Sequence, residues 1–285
     1  MTEVRPAAPD SACKLCGGGG YLLAAVGEGS QASVCACIPR CAACKGSGRI
    51  VLTAEGVARV GRCRCQLVPD RVALFNRAGI PGRFVHATLR SFMAGFAHDP
   101  KKGEAFQPVA RWFGAFRPES GRGLVLHGPV GRGKTHLLVA LLRQMIFERG
   151  VAVRFIEFSR LLGLLREGYD AGRSDAAIFR ELTHIPVLAI DELGKGRSTD
   201  WELSVIDELI SRRYNAMTPV LATTNYRPGD PSGAPVPNLA QVNTATQTLG
   251  DRIGDRCMSR LREMSDFVEV GGLDFRELKG LGRLA

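Results

Sequence analysis

The stretch Gly123-Leu-Val-Leu-His-Gly-Pro-Val-Gly-Arg-Gly-Lys-Thr-His-Leu-Leu-Val-Ala-Leu-Leu-Arg-Gln-Met-Ile-Phe-Glu-Arg149 decides the fold. Gly123–His127 reads as a buried strand. Gly128–Thr135 (GPVGRGKT) fits the pattern G-x4-G-K-[ST]. His136–Arg149 reads as a helix with Leu137, Leu138, Leu141, Leu142, Met145 and Ile146 on one side. A strand, a glycine-rich loop and a helix in that order make a phosphate cradle, because successive backbone N–H groups and the helix N-terminus point at one anion. Gly128, Pro129, Val130, Gly131, Arg132, Gly133, Lys134, Thr135 and His136 are therefore the expected nucleotide-binding residues. Lys134 is expected to reach the β- and γ-phosphates of ATP, and Thr135 to ligate Mg²⁺.

Working outward, Pro186-Val-Leu-Ala-Ile-Asp191-Glu192 is an apolar strand ending in two carboxylates. Following a phosphate loop, this pattern predicts Asp191 as a Mg²⁺ ligand and Glu192 as the base that polarises the attacking water. Pro219-Val-Leu-Ala-Thr-Thr-Asn225 is a third buried strand, with Asn225 placed to meet the γ-phosphate or the water. Val151–Phe158 is read as a strand, Ser159–Gly168 as a helix capped by Ser159, and Trp201–Asn215 as a further helix. Alternating strands and helices over 123–225 predict an α/β fold, a parallel sheet in a three-layer domain. The segment 226–248 holds four prolines and is read as a loop. Leu249–Met264 is read as one helix that places Arg252, Arg256 and Arg260 on a single face, where they repel unless something anionic faces them. Phe267–Val270 is read as a last strand.

The other end of the chain has different chemistry. Eight of the nine cysteines lie between Cys13 and Cys65, in two copies of C-x2-C-x18-C-x-C set 28 residues apart. Cys13, Cys16, Cys35 and Cys37 form the first copy; Cys41, Cys44, Cys63 and Cys65 form the second. Each carries C-x-G-x-G after its second cysteine and two strand-like runs around a turn: Tyr21–Val26 with Gln31–Cys35, then Arg49–Thr53 with Ala58–Arg62. A C-x2-C turn aims two sulfurs at one metal, and a hairpin returns C-x-C to complete an S4 site. So small a segment needs the metal to fold. The expectation is two structural Zn²⁺ in zinc ribbons, with sites formed within or across the copies. Cys257 stands alone and is read as an inert thiol.

Composition sets the frame. The chain has 285 residues, 45% apolar and 23% charged, with a formal charge of +10. This excludes a disordered or collagen-like chain. No apolar run long enough to span a membrane occurs, and the N-terminus has no signal-peptide pattern, so a cytoplasmic protein with no membrane contact is expected. Residues 1–65 carry eight basic and four acidic residues, and two thiolate-bound zinc ions would cancel that excess. The pI alone therefore does not argue for DNA binding. The expected organisation is a tandem zinc-binding region over 1–68 (copies 13–40 and 41–68), a connector over 69–100 with a short helix at Val68–Arg77, and an ATPase domain over 101–285.

Taken together, the motifs GPVGRGKTHL, VLAIDELG, LATTN, AGIPGRFVHATLRSF and LGDRIGDRCMSRL…FVEVGGLDFR resemble the AAA+ ATPases of the DnaC/DnaI/IstB group, over about residues 78–278. The C-x2-C-x-G-x-G units resemble the DnaJ zinc-finger region. The resemblance implies an ATPase in which Asn225 is sensor 1, Arg256 a finger donated to a neighbouring subunit, with Arg252 in a similar Gly-Asp-Arg context, and Arg276 the sensor 2 arginine. It implies self-association through Arg256, a DnaB-type replicative helicase as partner, and single-stranded DNA. Arg154, Arg160, Arg166 and Arg173 are candidate DNA contacts. Two other functions stay open: an IstB-like transposition helper, and a zinc-dependent adaptor with a regulatory ATP switch.

Overall fold

The computed structural model describes residues 7–54, 57–94, 99–170, 176–229 and 247–275. The chain divides into two compact units, one of residues 1–86 with 143–151, the other of residues 87–142 with 152–285.

The first unit holds two antiparallel hairpins and a helix. Hairpin one pairs β1 (Tyr21–Val26) with β2 (Gly29–Val34), and hairpin two pairs β3 (Arg49–Ala54) with β4 (Val57–Arg62). Their registers are equivalent: Tyr21 faces Val34 in the first and Arg49 faces Arg62 in the second. Helix α1 (Leu67–Arg77) packs on β2. The Asn76 amide grips Ala32 like a third strand, accepting from its N–H (2.6 Å) and donating to its carbonyl (3.0 Å). The Tyr21 ring stacks flat on Phe147, centroids 3.7 Å apart.

The second unit is a five-stranded sheet in the order β6-β7-β8-β5-β9, parallel throughout. The strands are β5 (Gly123–His127), β6 (Val153–Glu157), β7 (Val187–Asp191), β8 (Val220–Thr224) and β9 (Ser265–Glu269). All residues of β7 and β8 are buried, as both faces of a parallel sheet require. The helices are α2 (Leu89–Met93), α3 (Lys101–Ala115), α4 (Lys134–Arg149), α5 (Phe158–Asp170), α6 (Ala176–His184), α7 (Asp200–Asn215), α8 (Leu249–Ile253) and α9 (Asp255–Met264). One apolar core runs from Val125 and Ile190 through Leu161, Leu209 and Ile210 to Leu261. Among the described residues no helix is long and apolar enough to cross a membrane.

Two readings are corrected in detail. Helix α5 begins at Phe158, and Ser159 donates its hydroxyl to Glu157 Oε1 (2.7 Å) instead of capping the helix. Helix α7 is capped by Thr199, which accepts from Glu202 N, while the Glu202 carboxylate accepts from Thr199 N (3.3 Å). The expected single helix over 249–264 is broken at Gly254, whose φ of 84° and ψ of 150° leave the helical region. Arg252 therefore does not share a face with Arg256 and Arg260. Helices α3 and α6 were not read from the sequence: Pro108 interrupts the pattern of the first, and the second is short.

Candidate nucleotide site and cysteine clusters

The loop 128–133 leaves the C-terminal end of β5 and runs into α4, at the sheet edge where parallel α/β folds bind ligands. Glycine is required at its first position. A Cβ on Gly128 would stand 2.6 Å from the Val270 carbonyl oxygen. Lys134 is buried, and its ammonium donates to the carbonyls of Gly128 (2.8 Å) and Pro129 (2.7 Å). The cation is thus parked on the loop that it would leave to meet a phosphate. His136 Nε2 lies 2.8 Å from Ser91 Oγ and 3.3 Å from the Thr88 carbonyl, which ties the start of α4 to α2. Val130 is exposed.

Asp191 ends β7 and is 4% exposed. Its Oδ1 accepts from Thr135 Oγ1 (2.9 Å) and from Thr223 Oγ1 (2.6 Å). Burial pushes its carboxyl above the usual range, and those two hydroxyls oppose the shift. A buried carboxylate beside a threonine hydroxyl fits a hard divalent cation, which takes oxygen ligands and offsets the burial of charge. Thr223 also accepts from Glu192 N (2.9 Å), so it joins both carboxylate residues. Sequence reasoning passed over Thr223 in favour of Asn225. The available signal was a hydroxyl inside an apolar strand, one residue beyond the pair Ile190–Ala222 in the β7–β8 register.

Glu192 has a φ of 56°, unusual for a residue with a side chain. Its carboxylate is ion-paired with Lys195, whose ammonium also lies 3.5 Å from Glu157 Oε1 at the end of β6. Hydrogen bonding and ion pairing to Glu192 raise the Lys195 pKa. Glu157 is held below the usual range, first by the Ser159 hydroxyl. Asn225 is exposed just past β8.

A further segment reaches the loop. Val270 N donates to the His127 carbonyl (2.7 Å) and Phe275 N to the Gly131 carbonyl (3.1 Å). Arg276 lies outside the described residues, as does Arg173. Lys102 of α3 was missed by the sequence reading. It is 3% exposed, with its ammonium 4.5 Å from the Phe92 ring centroid and 3.1 Å from that of Phe275, and burial lowers its pKa to about 8.

The late arginines separate by partner. Arg252 Nε donates to the Gly194 carbonyl (3.0 Å) and its Nη2 to that of Gly196, with the guanidinium over Tyr226. Arg260 pairs with Asp207 (2.7 Å), and Arg262 donates to the Pro228 carbonyl (2.7 Å). Arg256 is exposed and makes no hydrogen bond or ion pair with the described residues. Of the other arginine candidates, Arg154 lies 3.7 Å from Glu181 and Arg166 3.3 Å from Glu202, while Arg160 is exposed.

In the first unit the cysteines converge within each copy. The sulfurs of Cys13, Cys16, Cys35 and Cys37 lie within 4.8 Å of one another, as do those of Cys41, Cys44, Cys63 and Cys65. The Gly20 and Gly48 N–H groups donate to Cys16 and Cys44 (3.3 Å each), and Ala7 N donates to Cys41 (3.4 Å). The Ala7 contact heads the causes that bring Cys41 down to about 6. Four soft sulfurs at this spacing suit zinc in a closed tetrahedral site. Cys257 is buried in the other unit, where burial pushes its thiol well up.

Comparison with known proteins places this geometry. A family model described as IstB-like ATP binding protein matches residues 116–276. An ATP-binding protein in an insertion sequence of Mycobacterium tuberculosis is 35% identical over 175 residues, 58% of this chain and 66% of that protein. The replicative helicase loader DnaC of Escherichia coli K12 is 24% identical over 133 residues, 46% of this chain and 48% of that protein. The chain therefore spans less than two thirds of either relative. A crystal structure of the DnaC helicase loader superposes with a TM-score of 0.54 at 27% identity, covering 66% of this chain and 99% of that one.

Proposed function

The chain belongs to the family of IstB-like ATP-binding proteins, and from that premise we propose that it hydrolyses ATP to load a replicative DNA helicase onto single-stranded DNA. The observation that carries the ATPase is the hydrogen-bonded set Thr135–Asp191–Thr223–Glu192, built around the loop where Lys134 is held. Bound ATP with Mg²⁺ supplies the transferable phosphoryl group and much of the charge neutralisation. The residues of this chain do the rest. The backbone of 128–136 cradles the phosphates. Lys134 leaves the Gly128 and Pro129 carbonyls for the β- and γ-oxygens. Thr135 and Asp191 hold the metal. Glu192 takes the proton of the attacking water once Lys195 releases it, and Asn225 orients that water. Arg256, exposed at the start of α9, serves a second copy, which makes self-association part of the chemistry. The bonds of Arg252 to the Gly194 and Gly196 carbonyls favour Arg256 over Arg252 for that task. Arg276 is assigned to sense the γ-phosphate. The cysteine clusters hold two structural zinc ions and do no catalysis. The organisation proposed is a zinc-binding region over 1–68, a connector over 69–100 and an ATPase domain over 101–285.

The loader reading is supported by the likeness to the DnaC structure over nearly its whole length. The 35% identity to an insertion-sequence protein favours a transposition helper acting with a transposase as the second reading. Capture on an ATP-locked Glu192→Gln protein in the source cell separates them. Recovery of a replicative helicase is expected; recovery of a transposase reverses the order.

A further inference from the structure

The two cysteine hairpins are copies in sequence and in register, yet they present opposite environments on the same face. On hairpin one that face carries Tyr21, Leu23, Ser30 and Ala32, and it is used for packing: Tyr21 stacks on Phe147, Ser30 and Ala32 are buried, and Ser30 Oγ donates to the Pro81 carbonyl (3.0 Å). Twenty-eight residues on, the equivalent face of hairpin two carries Arg49, Val51, Ala58, Val60 and Arg62. Val51 is 67% exposed and Val60 70% exposed. The position that packs as Tyr21 in one copy is an arginine in the other, and nothing among the described residues covers it.

The charges on this copy point one way. Residues 41–66 hold five basic residues and one acidic residue, Glu55, an excess of four that a zinc ion held by four thiolates reduces to two. Arg49 and Arg62 are directly opposite in the register, a like-charge pair that is unfavourable by itself. Asp70 answers Arg62 and leaves Arg49 unanswered. Lys45, Arg49, Arg59 and Arg64 are exposed and make no ion pair with the described residues. Between the two facing arginines, Ser47, Val60 and Gln66 help line a recess of about 490 Å³.

We infer that this face of the second hairpin is a docking surface for single-stranded nucleic acid. The arginines meet backbone phosphates, Ser47 and Gln66 supply further polar groups in the recess, and Val51 and Val60 contact sugar and base edges. No aromatic residue stands on the hairpin strands, so recognition is by backbone charge, sequence-independent and strongly salt-dependent. The inference deepens the DNA part of the proposed function and is independent of the nucleotide site.

The test is fluorescence anisotropy of a labelled single-stranded oligonucleotide against the full, metal-loaded chain without nucleotide, across a salt series. Arg49→Gln with Arg62→Gln, the facing pair that lines the recess, is expected to weaken binding about tenfold at low salt and to reduce the slope of log affinity against log salt by about 1.4, two phosphate contacts. Lys45→Gln with Arg64→Gln, which leaves the strand pairing untouched, is expected to act in the same direction. Lys14→Gln, an exposed lysine of the first copy, is expected to change neither reading. If both pairs of substitutions keep wild-type affinity and slope, the surface is wrong while the DNA reading stands. If the wild-type chain does not bind the oligonucleotide, both fall. If polyglutamate of matched charge competes as well as the oligonucleotide, the surface takes an acidic polypeptide and the assignment is overturned.

Discussion

At the scale of single residues, Glu192 and its neighbours decide the chemistry. A side-chain residue at a φ of 56° costs about 1–3 kcal/mol and persists only where its surroundings hold it. Here the holding groups are the Thr223 hydroxyl on its N–H and Lys195 on its carboxylate. Lys195→Ala frees the base: nucleotide affinity is expected to stay unchanged while steady-state hydrolysis by the isolated protein rises several-fold. A fall in hydrolysis shows that the pair is needed to position Glu192. Lys134→Ala is expected to abolish nucleotide binding, and Glu192→Gln to keep binding but stop turnover, both read by nucleotide titration beside phosphate release. Lys102 gives a pH-dependent outcome. Its folded-state pKa, about 8, lies below the ordinary lysine value, so between these limits the unfolded chain binds more protons and stability rises with pH. Lys102→Met is expected to raise the denaturation midpoint at pH 7, with the gain shrinking from pH 8 towards 10.5.

At the scale of elements, the break between α8 and α9 sorts the arginines. Gly254 has open space around an added Cβ, so a substitution there acts through the backbone alone. Gly254→Ala is expected to destabilise the chain by about 1–3 kcal/mol in denaturant unfolding, because φ 84° with ψ 150° is a glycine conformation. The sequence made the strand–loop–helix of the phosphate site legible, since apolar strands bounded by glycine and carboxylates leave few alternatives. It made the cysteine hairpins legible through their repeat. It did not reveal the break, because LGDRIGDRCMSRL keeps helical spacing across Gly254. Nor did it reveal the place of Arg213 in α7. Arg213 is fully buried and donates to the carbonyls of Leu182 (2.6 Å), Ile185 (3.0 Å) and Pro219 (2.7 Å). Those acceptors come from segments about 30 residues away in sequence or beyond the helix end, so no local pattern announces them.

At the scale of the whole molecule, the two units make separable demands. Elemental analysis of the purified chain is expected to give two zinc ions per molecule, and a chelator to unfold the hairpins while nucleotide binding persists. One metal or none would contradict the paired clusters. Arg256 is tested by mixing. A Lys134→Ala chain binds no ATP but offers its Arg256; an Arg256→Ala chain binds ATP but offers no finger, which in well-studied NTPases contributes about 10³–10⁵ in rate. Together with DNA they are expected to regain hydrolysis that neither shows alone, and no recovery at any ratio places Arg256 in its own subunit's site. The duplicated hairpins carry one more consequence, for how this chain can evolve. The first copy is answerable to Phe147 and Pro81, so drift at Tyr21 or Ser30 must be matched by its partners. The second copy is released from that obligation at the same positions. Selection there can act on the sum of charge and leave side-chain shape to wander, so arginine and lysine should exchange freely among descendants of the second hairpin while the first stays fixed.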